Sequence, residues 1–101
     1  MNDKLKGMLG LAVKAGKAVS GSYAVEGVVR RGKARLVLLD GRASENRVRE
    51  VEAMCANFGV KCLRLRDVGL LEELLGRENR TVLAVTDGGF AEAIQGILKK
   101  E

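Results

Sequence analysis

Apolar residues Leu5, Met8, Leu9, Ala12 and Val13 recur at i, i+3, i+4, i+7 and i+8, the spacing of one helical face. Asn2 or Asp3 can cap the start of that helix, and Gly16 supplies its stop. After a short extended piece at residues 18–20, Ser22 can cap a second helix that buries Val25, Val28 and Val29 and ends at Gly32. Residues 35–40, RLVLLD, are an apolar run with no polar face, which predicts a strand covered on both sides.

The second half repeats the alternation. Ser44 caps a third helix with Val48, Val51, Cys55 and Phe58 on one face and Gly59 as its stop. Residues 60–66, VKCLRLR, mix apolar and basic side chains as a peripheral strand does. Asp67 is placed to cap a short helix through Leu75, closed by Gly76. Residues 81–86, TVLAVT, predict a second fully buried strand, and residues 89–99 a last helix packing Phe90, Ile94, Ile97 and Leu98. Helices alternating with short apolar strands imply an α/β sandwich whose helices cover a largely parallel or mixed sheet. The chain has 101 residues, no proline and no low-complexity linker, so one domain over 1–101 is expected.

Composition narrows the chemistry. There is no histidine, which removes Ser-His-Asp and Cys-His nucleophile pairs, His-based zinc sites and the usual general base at neutral pH. Aromatic residues make up only 3%, with no tryptophan, unlike single-strand binders that stack bases on several exposed rings. Cys55 and Cys62 fit no CxxC spacing and lack further zinc ligands, so a reduced cytoplasmic protein with buried thiols is the simplest reading. No apolar run approaches the ~20 residues of a membrane span. Net charge is +5, but residues 1–50 hold eleven Lys/Arg against five Asp/Glu, while residues 51–101 hold seven against eight. A one-sided positive field concentrates polyanions, and nucleic acid is the first partner it suggests.

Candidate sites follow from these features. Gly16-Lys17 looks like the end of a phosphate loop, but Leu11 stands where its first glycine belongs and Ala18 where a metal-binding hydroxyl is needed. Asp40 and Asp87 each end a buried strand, where open α/β sheets place their sites. Their simpler roles are a polar turn at Asp40 and a helix cap at Asp87, over the flexible Gly88-Gly89 pair. Tyr23 is positioned either to stack on a base or to lie half-buried beside the second helix. The cluster Arg30, Arg31, Lys33 and Arg35 surrounds Gly32. Such cations favour a helix C-terminus, yet one or two would serve, and the excess points to phosphate contact together with Lys14 and Lys17.

Three segments carry a resemblance. LGLAVKAGKAVSG (9–21), LVLLDGRASEN (36–46) and LGRENRTVLAVTDGGFAEAI (75–94) resemble the ribosomal L-seven-Ae family, and more narrowly its small bacterial YlxQ-like branch, over nearly the whole chain. The resemblance implies a three-layer α/β/α sandwich with a small mixed sheet of about four strands. It implies RNA binding, often at kink-turns, through a G-x-N-E-x-x-K motif opening the second helix and through the loop before the last strand. By position the motif's glycine is Gly21, while Tyr23, Ala24 and Gly27 replace its Asn, Glu and Lys. The loop is matched by Gly76, Arg77, Glu78, Asn79 and Arg80.

The resulting expectation is a small non-enzymatic cytoplasmic protein that binds structured RNA, whether ribosomal RNA, a kink-turn or a stem-loop. It needs no cofactor, metal or small-molecule substrate and meets no membrane. Lys17, Arg30, Arg31, Lys33, Arg77 and Arg80 would hold phosphates. Ser20, Gly21, Ser22 and Tyr23 would present backbone and small groups to a bulge, with Gly76 and Asn79 completing the loop. The alternative is a protein-interaction module that has lost kink-turn recognition.

Overall fold

The structure is a computed structural model and describes residues 3–100. Asn2, one of the two candidate caps of the first helix, lies outside the described residues. Elements alternate in the order α1 (Asp3–Lys14), β1 (Ala18–Ser20), α2 (Ser22–Arg30), β2 (Leu36–Leu39), α3 (Glu45–Phe58), β3 (Cys62–Arg64), α4 (Leu70–Leu75), β4 (Val82–Val85) and α5 (Gly88–Lys99).

Four strands form one mixed sheet in the order β1-β4-β2-β3. The pair β2–β3 is parallel, whereas β4 runs antiparallel to both β2 and β1. The central strands β2 and β4 are buried at every position. Their side chains alternate between two cores, as the period of two in a strand requires. Val37, Leu39, Val82 and Ala84 face α2 and α3, where they meet Val25, Val28, Val29, Val48, Val51 and Cys55. Leu36, Leu38, Leu83 and Val85 face α1, α4 and α5, where they meet Leu5, Leu9, Leu70, Leu71 and Ile94. Three layers result: two helices, a sheet, three helices.

Several local expectations change. Ser22 is the first helical residue of α2 and makes no cap; the N-cap is Gly21, whose backbone (φ 90°, ψ 151°) turns the chain out of β1. Asp67 does not cap α4 either. The N-cap of that helix is Gly69, and the carboxylate serving it comes from Asp40, thirty-one residues before Leu71. The third strand is shorter than the 60–66 run, because only Cys62–Arg64 pair with Val37–Leu39. Phe58 is 44% exposed, beneath the Arg30 guanidinium at 5.7 Å, not in the core. Two caps stand as read: Ser44 Oγ accepts from Arg47 N at 3.1 Å, and Asp87 Oδ2 accepts from Phe90 N at 2.9 Å.

Candidate nucleic-acid interface

Antiparallel pairing of β4 with its neighbours decides where the candidate residues lie. Ser20 is level with Leu83, and Leu39 with Val82, so the end of β1 and the start of α2 sit at the same sheet end as the loop entering β4. Gly21 N donates to Val82 O at 3.1 Å, which fixes that junction. Arg80 reaches across it: a Cβ added to Gly21 would run into Arg80 Nη1. Gly21 is therefore required for its positive φ, and its missing Cβ gives the guanidinium room to lie against it.

The loop carrying Arg80 is shaped by short-range geometry and one distant carboxylate. Gly76 ends α4 in the left-handed conformation, and Asn79 repeats it at φ 60°, which asparagine tolerates better than most residues. Glu72 Oε2 accepts from Asn79 N at 2.6 Å, and the other oxygen of the same carboxylate binds Arg42. Arg77 and Asn79 are left exposed. Arg80 Nε is buried with no hydrogen-bond partner, and the guanidinium has no ionic partner among the described residues. Packing holds this cation beside Gly21, with Nε unpartnered and no carboxylate paired to it among the described residues.

The other basic residues gather at the opposite sheet end. Ala18 and Leu36 both align with Val85, so Lys17 and Arg35 flank the exit of β4, two strands apart, or about 10 Å. Lys14 and Lys33 are exposed at the same end, and none of these four forms an ion pair among the described residues. Helix α2 spans the gap of about 13 Å between the two ends. The twelve candidate residues thus fall into two groups. Ser20, Gly21, Ser22, Tyr23, Gly76, Arg77, Asn79 and Arg80 converge at one end, whereas Lys17 and Lys33 stand at the other. Arg30 and Arg31 lie at the C-terminal end of α2. Arg30 is already engaged, donating from Nε to Glu26 Oε2 at 2.9 Å.

Tyr23 is 92% exposed, so the half-buried alternative is excluded. Asp40 and Asp87 do not form a pair: they follow antiparallel strands and stand at opposite sheet ends, about 15–20 Å apart. Asp40 is 1% exposed and accepts from the backbone N–H groups of Arg42, Gly69 and Leu71 at 2.8–2.9 Å, so its lone pairs serve the fold. Among the described residues no group of three or more His, Cys, Asp or Glu is arranged to hold a metal ion, and no helix is long and apolar enough to cross a membrane. Burial, with the neighbouring Cys55 thiol second, pushes the Cys62 thiol up to about 12. Burial also raises that of Cys55.

The model of the ribosomal protein L7Ae/L30e/S12e/Gadd45 family matches residues 3–95. The chain belongs to that family. It is 38% identical over 91 residues to the RNA-binding protein YlxQ of Bacillus subtilis, covering 90% of this chain and 91% of that protein. It is 28% identical over 97 residues to the RNA-binding protein YlxQ of Enterococcus faecium, covering 96% and 93% respectively. Among solved structures, a protein of unknown function from Bacillus halodurans shares the fold with a TM-score of 0.87 at 23% identity, over 97% of this chain and 99% of that one. The Giardia lamblia 15.5kD RNA binding protein has a TM-score of 0.75 at 18% identity, over 99% and 89%. The start of α2 and the loop before β4, both within the matched residues, meet at Gly21 and Arg80.

Sequence reasoning named both segments but missed what holds them in place. Glu72, which ties the loop at Asn79, and Asp40, which anchors the start of α4, carry no local signal, because their partners lie far along the chain.

Proposed function

We propose that this chain is a small non-enzymatic RNA-binding protein of the cytoplasm, one domain that grips structured RNA by its phosphates. The observation carrying this reading is the junction of Gly21 with Arg80, where a cation with no ionic partner among the described residues meets the opening of α2. Homologues covering nine-tenths of the chain and named RNA-binding proteins support it. Arg77 and Arg80 hold phosphates at one end, and Lys17, Lys33 and the Arg30-Arg31 pair that closes α2 hold them at the other. Ser20, Gly21 and Ser22 offer backbone and hydroxyl groups, and Gly76 and Asn79 shape the loop. Tyr23, Ala24 and Gly27 provide none of the side chains of the G-x-N-E-x-x-K motif, so the structured RNA, whether ribosomal RNA, a kink-turn or a stem-loop, is held chiefly through its backbone.

Electrophoretic shifts with ribosomal RNA at about 50 and 200 mM salt test the reading. Each phosphate neutralised steepens the fall of log K against log salt by about 0.7–0.9. Arg80→Ala is expected to weaken binding and reduce that slope by about one contact. Absent binding at low salt, or binding indifferent to salt, overturns the proposal.

A groove between α2 and α3 supports a second reading. Its volume is about 240 Å³, floored by Val25, Val51, Met54 and Val82 and rimmed by Glu26, Arg30, Arg47 and Glu50. An apolar floor with a charged rim suits a protein partner. Partners retained after RNase treatment would favour it.

A further inference from the structure

The exposed face of α2 holds a second arrangement, downstream of Gly21. Tyr23, Gly27 and Arg31 follow one another at four-residue steps, which places them in one row along the helix. Tyr23 is the only tyrosine of the chain, and its ring stands in solvent. Gly27 leaves bare backbone in the middle of the row. Arg31 folds back over it, with Nη1 at 3.2 Å from where a Cβ would sit. The guanidinium is thereby drawn to within one helical turn of Tyr23, about 6 Å along the axis.

These residues border a shallow groove of about 330 Å³, lined by Tyr23, Ala24, Glu26, Gly27, Arg30 and Arg31. Its charges are unequal. Glu26 and Arg30 neutralise each other at 2.9 Å, and Arg30 also lies over Phe58. Arg31 has no ionic partner among the described residues, so the open charge of the groove is positive. A flat ring in water and, one turn away over Gly27, a guanidinium free of ionic partners among the described residues match the parts of a nucleotide. The base stacks on the ring, and the phosphate takes the charge-assisted fork of the arginine.

We propose that this groove receives an unpaired nucleotide of RNA, its base on Tyr23 and its phosphate on Arg31. The proposal rests on the RNA-binding reading and makes it more specific. Bases inside a duplex are covered by their neighbours and cannot offer a face to Tyr23, so the ligand is RNA with an extruded or bulged base. Charge selects RNA over a protein partner, because the unpaired group is a cation in the half of the chain that carries the positive excess.

The test uses the full chain, a blunt RNA duplex, and the same duplex with a one-nucleotide bulge, both end-labelled for anisotropy. With one tyrosine and no tryptophan, intrinsic emission reports Tyr23 alone. Bulged RNA is expected to bind more tightly than blunt duplex and to quench that emission. Tyr23→Ala should weaken the bulged RNA by about 5- to 150-fold, a clearly larger factor than for the blunt duplex, while Tyr23→Phe retains the affinity. Arg31→Ala should weaken bulged RNA and lower its salt slope by about one contact. If neither RNA binds at low salt, the RNA-binding reading itself falls. If both bind alike, with emission unquenched and Tyr23→Ala equal to wild type, RNA binding stands and the groove proposal falls. Quenching by a co-purified protein after RNase treatment, and not by RNA, also overturns it.

Discussion

Removing the Asp40 carboxylate should cost this protein a large share of its stability. The side chain is buried at the end of β2, with Oδ1 accepting from Arg42 N at 2.9 Å and Gly69 N at 2.8 Å, and Oδ2 from Leu71 N at 2.9 Å. A hydrogen bond to a charged group contributes roughly 1.5–3 kcal/mol net. The Arg42 and Gly69 amides are only partly buried, so water can replace part of what they lose, but Leu71 N is buried. Asp40→Ala is therefore expected to destabilise by about 3–5 kcal/mol, against a usual total of about 5–15. Asp40→Asn keeps the shape but turns an N–H₂ toward at least one backbone N–H, for a loss of about 2 kcal/mol. Urea unfolding followed by circular dichroism reads these differences; Asp40→Ala should lower the midpoint by about 2–3 M at a slope near 1.5 kcal/mol/M. Asp87 is the internal control, since it caps α5 through one bond and its alanine variant should cost about 0.5–2 kcal/mol. A midpoint shift for Asp40→Ala no larger than that for Asp87→Ala refutes the reasoning. Because α4 leads into the loop bearing Arg77 and Arg80, the Asp40 variant should also lose RNA affinity.

Other perturbations have defined outcomes. Gly21→Ala meets both a left-handed φ and the Arg80 guanidinium. It should lose about 1–3 kcal/mol, seen as a fall in Tm of at least about 4 °C, most of it persisting in an Arg80→Ala background because a flexible side-chain end moves easily. Equal Tm values for Gly21→Ala and wild type would contradict this. Cys62 gives a pH signature: its thiol lies near 12 when folded against its ordinary 9.0, so only the unfolded chain releases the proton between those values. The stability linked to it is complete below pH 9 and is lost as pH rises through 12. Comparing urea midpoints at pH 8 and 10, Cys62→Ala should show the shallower decline; parallel declines argue against the burial. Lys17→Ala with Lys33→Ala should lower the salt slope of RNA binding by about two contacts without changing Tm, and an unchanged slope removes that sheet end from the interface.

The helix periodicity of Leu5 through Val13, the Ser44 and Asp87 caps and the two apolar strand runs were legible because each is local. A cap involves residues within three positions, and a buried strand shows itself in consecutive side chains. What escaped was every contact made at a distance. Proximity in sequence assigns Asp67 to α4, yet Asp40 occupies that role from across the parallel β2–β3 pair. Phe58 fits the apolar face of α3 in sequence but is the last residue of the helix, half-exposed, where Arg30 covers it. Of the candidate interface, the identity of both segments was readable, and the division of the cations into two groups was not.

By itself the sequence determined the alternation of helices and strands, the two buried central strands, the positive first half and the family, since all of these reside in composition, period and motif. Only the tertiary structure decided direction. A strand reads the same whichever way it runs, and the antiparallel insertion of β4 between β1 and β2 separates Asp40 from Asp87 and brings Arg80 to Gly21. The same holds for Arg31, whose place over Gly27 depends on a side chain folding back along its own helix into space a glycine leaves open.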